Sequence, residues 1–117
     1  MPSSHTTLAL FHSIFISPLF IYVGLAREQV PDTVYYCLGG IGVVILCYHA
    51  FKAYEKIKAN TSPWINYIHM FLVAPLLIIL GLAGKTANRK YFEMLLMLGF
   101  ASFGYHTLSI IREMMSR

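Results

Sequence analysis

Four histidines, His12, His49, His69 and His106, lie inside long apolar stretches of this chain, and one offset of 57 residues relates them in pairs. His12 and His69 open the matching runs His12-x5-Pro18-Leu19-x4-Gly24-Leu25-Ala26 and His69-x5-Pro75-Leu76-x4-Gly81-Leu82-Ala83. The same offset pairs Leu38 with Leu95, Gly42 with Gly99, Tyr48 with Tyr105 and His49 with His106. Imidazole is a metal ligand and a proton carrier near neutrality. In apolar surroundings, four of them point to three chemistries: axial ligation of haem, binding of a transition-metal ion, or proton transfer. The fifth histidine, His5, has no such setting and is expected to be a solvated terminal residue.

The elements that must position these side chains follow from composition. Of 117 residues, 57% are hydrophobic and 12% charged, and the mean hydropathy of +0.62 is that of a membrane protein. The least polar stretches, about 8–26, 34–54, 65–83 and 91–113, are each long enough at about 1.5 Å per residue to cross a hydrocarbon core of about 30 Å. They predict an all-α fold, a four-helix transmembrane bundle forming one integral membrane domain over 1–117. Continuous apolar runs exclude the alternating strands of a β-barrel. The first run lacks a basic leading segment and a small-residue cleavage pattern, so it is read as a mature helix. Cys37 and Cys47 stand 10 residues apart on one helix, too far for a mutual disulfide.

Short connections make successive helices antiparallel neighbours, which gives an up-down-up-down bundle. A tandem repeat of two helices then relates its copies by a pseudo-twofold axis along the membrane normal. Both termini and the middle loop share one face, side A, with Lys52, Lys56, Lys58, Arg112 and Arg117, against Arg27, Lys85, Arg89 and Lys90 on side B. The narrow excess of basic residues on side A orients it to the cytoplasm. These cations flank the spans and form no stripe, so the net charge of +4 implies interfacial anchoring and no nucleic-acid partner.

On this layout His12, His49, His69 and His106 fall at one level, roughly 7 Å towards side A from the midplane at 1.5 Å per residue. Gly42 and Gly99 lie two turns deeper on the histidine stripe and are expected to leave room there. Pro18 and Pro75 remove an N–H each, which is expected to free the carbonyls of Ile14 and Phe71 as acceptors for liganded imidazoles. Tyr48 and Tyr105 are candidate hydrogen-bond donors beside them, and Trp64, Tyr67 and Tyr54 are interface anchors.

Haem b fits these residues as a ligand set, with His12/His69 or His49/His106 as a diagonal pair, Gly42 and Gly99 beneath the macrocycle, and Lys52, Lys56, Lys58 and Arg112 near its propionates. In having histidines on apolar helices the layout resembles membrane cytochromes of the b type, an analogy of architecture. A divalent transition metal on the same four histidines is the other form of the reading. Glu28, Asp32, Glu55, Glu93 and Glu113 all fall near or beyond span ends, away from the histidines, which argues against hydrolytic and di-iron carboxylate centres. The favoured function is therefore electron transfer by a haem or metal ion. A histidine proton pathway, or a cofactor-free assembly or anchor subunit, are the alternatives. Expected partners are the lipid bilayer, a redox partner or other membrane subunits, and further copies of the chain. No nucleophile, nucleotide loop or acid–base pair marks an enzyme.

Overall fold

The computed structural model describes residues 4–116, with side chains from Thr6 onward. The side chain of His5 and all of Arg117 lie outside the described residues. Four helices among them are long and apolar enough to cross a membrane: α1 (Thr6–Gln29), α2 (Asp32–Lys58), α3 (Trp64–Thr86) and α4 (Arg89–Met115). No strand occurs among the described residues. Every helix extends two or more residues past at least one end of its apolar stretch, because polar residues cap and prolong the spans. Apolar side chains such as Phe15, Leu25, Val44, Phe71 and Leu82 are exposed.

The helix ends follow from local chemistry. Pro31 is extended before Asp32, and the Asp32 carboxylate sits at the positive end of α2. At the other end Asn60 adopts φ 59°, and Thr61 N–H donates to the Lys56 carbonyl at 2.8 Å while Asn60 N–H donates to that of Ile57 at 3.1 Å. This is a Schellman closure, for which asparagine is one of the few residues suited.

Neither α1 nor α3 is a plain α-helix. Each contains one π turn, His12–Ile16 in α1 and His69–Val73 in α3, at places related by the 57-residue offset. Ser17 N–H donates to the His12 carbonyl and Ala74 N–H to the His69 carbonyl, one residue further back than in an α-helix. Pro18 and Pro75 follow directly. A proline cannot donate to the turn behind it, and the wider turn absorbs the missing bond.

The chain divides into two compact units. Unit 1 takes α1 and most of α4. Within it Gly24 lies against Phe92 and Leu96, and Gly99 against Phe20 and Ile21. The contacts run in opposite sequence order, so the two helices are antiparallel. Unit 2, Glu28–Tyr91, holds α2 and α3. Here Gly81 lies against Tyr35 and Gly39, and Gly42 against Ala74, Leu77 and Ile78. Apart from that with Ala74, each of these contacts is the 57-residue equivalent of one in unit 1. Small residues at such crossings let helix backbones approach closely, which is the main source of helix association in lipid.

Equivalence fails at one turn. α1 closes at Arg27, with φ 51° and ψ −114°, and α3 closes at Gly84, with φ 57° and ψ −134°. Glycine takes that conformation freely, whereas a side chain there costs about 1–3 kcal/mol. Arg27→Gly is therefore expected to raise stability by about 1 kcal/mol, offset in part by the loss of the Arg27 Nε–H bond to the Gly24 carbonyl. Gly84→Ala should lower it by a similar amount. Thermal unfolding in detergent micelles, followed by circular dichroism, checks both; equal midpoints for the two variants would contradict the account.

Candidate functional site

The four histidines form two ring-to-ring pairs, one in each unit, tilted in unit 1 and stacked in unit 2. In unit 1 the rings of His12 and His106 have centroids 4.6 Å apart with an interplanar angle of 32°. In unit 2 those of His49 and His69 are 4.1 Å apart at 11°. All four are half-buried. The structure thus brings α1 together with α4 in unit 1 and α2 with α3 in unit 2 at the histidines.

Two of the rings are tethered identically. His12 Nδ1–H donates to the Leu8 carbonyl at 2.8 Å, and His69 Nδ1–H to the Ile65 carbonyl at 2.8 Å. A carbonyl only accepts, so each neutral ring carries its proton on Nδ1 and its lone pair on Nε2. The acceptors differ from Ile14 and Phe71 for a geometric reason. Side chains on a helix lean towards its N-terminus, so a histidine reaches the carbonyl four residues behind it and not one ahead.

His49 is held differently. The Asn66 side chain, 3% exposed, donates from Nδ2 to His49 Nδ1 at 2.8 Å. Sequence reasoning missed Asn66, although a signal was present: it is an amide in an apolar span, and Ala9 stands at its 57-residue equivalent. In unit 1 the nearby polar contact is between the Ser13 and Thr107 hydroxyls, 3.4 Å apart, and Met70 and Ala50 replace them in the offset.

The other site residues lie at the helix crossings or on exposed faces beside the histidines. A Cβ on Gly42 would stand 3.0 Å from Leu77 Cβ and from Ile78 Cγ1, and one on Gly99 would stand 2.8 Å from Ile21 Cγ1. These glycines lie at the helix crossing of each unit, where the neighbouring helix packs against them. Tyr48 and Tyr105 are more than half exposed, each ring edge-on to the histidine that follows it at 5.2 Å. Lys52 is 3.4 Å from Glu55 and 5.9 Å from the Tyr48 ring centre. Cys37 and Cys47 are exposed free thiols.

Chemically, the site consists of imidazoles alone. Among the described residues no group of three or more His, Cys, Asp or Glu side chains converges to hold an ion. Metal–nitrogen bonds of about 2.0 Å put two imidazoles on opposite sides of one metal with ring centres roughly 6 Å apart. Neither pair has that separation as its rings stand, 4.6 Å in unit 1 and 4.1 Å in unit 2. Each pair can offer Nε2 to an ion on one side of the stack. Comparison with known proteins finds no matching family model, no matching curated protein and no matching solved structure.

Proposed function

We propose that the chain is an integral membrane protein crossing the bilayer four times, up-down-up-down, that binds transition-metal ions through its histidine pairs for electron transfer. The observation that carries this reading is the repeat-matched tether of His12 and His69. A liganding imidazole typically gives its second N–H to a carbonyl or carboxylate, which fixes the tautomer and aims the other nitrogen. Both rings are prepared in that way, at the one place in each helix where the backbone is widened. A bare ion is favoured over haem b because the glycines that would make space for a macrocycle are packed. Imidazole nitrogens suit copper, iron, nickel and zinc, and electron transfer needs one of the first two.

A second reading has its own support. The stacked rings of His49 and His69 expose opposite tautomers side by side, an arrangement suited to passing a proton.

Protein purified in detergent should retain copper or iron by elemental analysis, or take up added Cu²⁺ with a new visible band that disappears on replacing His12 and His69. A colourless, metal-free protein that keeps its fold when all four histidines are replaced would overturn the reading and leave an assembly or anchor role. pH-driven flux into liposomes, abolished by replacing His49 and His106, would favour the proton path.

A further inference from the structure

The offset matches the tethers of His12 and His69, to Leu8 and Ile65, but not the residue at His49 Nδ1, Asn66, whose equivalent is Ala9. An amide nitrogen has only hydrogens to give, so Asn66 Nδ2, 2.8 Å from His49 Nδ1, makes that atom an acceptor. The neutral ring of His49 then carries its proton on Nε2. His69, stacked on it at 4.1 Å, is the reverse, with its proton on Nδ1 and its lone pair on Nε2. Both rings are tied through Nδ1 to consecutive residues of α3, Ile65 and Asn66.

The orientation of the amide has a physical reason. Asn66 Oδ1 is buried and has no partner among the described residues. Turning the amide over would pair that oxygen with a ring N–H but would move two N–H groups into the same enclosed space. A carbonyl oxygen is the cheaper group to leave without a partner, and an orphan N–H the dearer.

We propose that Asn66 is a positioning residue that holds His49 as the Nε2–H tautomer, so that the stacked pair of unit 2 presents one ring N–H beside one ring lone pair. Unit 1 has Ala9 at the equivalent position, so the offset does not carry this amide contact into unit 1. The consequence for a ligand rests on the metal-binding reading: an ion takes His69 Nε2, and His49 donates to an oxygen on that ion, water or hydroxide. The tautomer itself is a property of the metal-free protein.

The test uses full-length, metal-free protein in detergent with ¹⁵N-labelled histidine, read by long-range ¹H–¹⁵N correlation, with the His49 signals assigned by their loss in His49→Gln. The expected result is a single neutral tautomer at His49, protonated on Nε2, against Nδ1-protonated His12 and His69. Asn66→Leu, close in volume, should convert His49 to a mixture of tautomers; Asn66→Ala gives the same reading if the leucine variant does not fold. Wild-type His49 protonated on Nδ1 would overturn the proposal. So would an unchanged single Nε2–H form in a folded Asn66 variant. Because no metal is present, neither outcome depends on whether the protein binds one.

Discussion

Replacing Gly81 with valine is expected to destabilise the α2/α3 pair by about 3 kcal/mol, the largest effect on stability of any single substitution at the helix crossings. A Cβ at Gly81 would stand 2.5 Å from Gly39 Cα, 2.9 Å from Gly39 N and 3.2 Å from the Tyr35 carbonyl. All three are backbone atoms, which cannot rotate aside as a side chain can. The helices must separate or slide, and overpacking of that kind costs about 1–3 kcal/mol before lost contacts are added. In lipid there is little hydrophobic force to bring the helices back, so close van der Waals contact supplies most of the attraction. Gly40 and Gly104 provide the control, since a Cβ on either meets nothing within 4 Å. Alanine there should be neutral or should stabilise by up to about 1 kcal/mol through helix propensity. Thermal unfolding of Gly81→Val, Gly40→Ala and Gly104→Ala in the same detergent decides the matter. A Gly81→Val midpoint equal to that of Gly40→Ala would show that the crossing is not where the pair is held.

The four helices were legible because the constraint behind them is blunt. A hydrocarbon core demands about 20 apolar residues in a row with every backbone group satisfied internally, and such runs are visible in any composition profile. Their ends were less legible. Asp32, Lys58 and Arg89 are helical although charged, because capping and the lipid interface accept them. The histidines were legible as candidates through the offset, but their partners were not. Pairing depends on which helices pack together, and that is decided by the places where Gly24, Gly42, Gly81 and Gly99 meet a neighbour, which sequence spacing alone does not give. The prolines were read as bends that free carbonyls ahead of them. What they produce is a π turn, whose altered bonding belongs to Ser17 and Ala74, while the imidazoles reach back to Leu8 and Ile65. Asn66 shows the converse. It breaks the repeat, and a search guided only by matched residues passes over an amide that touches a histidine.

His69→Ala is expected to lower the affinity of unit 2 for Cu²⁺ by about 100-fold or more, and His49→Ala by about 10-fold. The difference follows from what each ring can offer. His69 Nε2 carries a lone pair, because its proton is committed to the Ile65 carbonyl, so removing the ring removes a bond to the metal. His49 is held with its proton on Nε2 by Asn66, so it contributes a hydrogen bond to a ligand of the ion, and outer partners of that kind are worth about 10–100-fold in affinity. His12→Ala should match His69→Ala in unit 1, since its tether to Leu8 has the same length of 2.8 Å. Calorimetric titration in detergent, performed on His12→Ala/His106→Ala protein to leave unit 2 alone, separates the two contributions. Equal losses for His49→Ala and His69→Ala would mean that both rings ligate, and that Asn66 yields its hold on His49 when the ion arrives. A tenfold or greater gap would place the metal on His69 and make His49 an adjustable partner, set by the Asn66 amide.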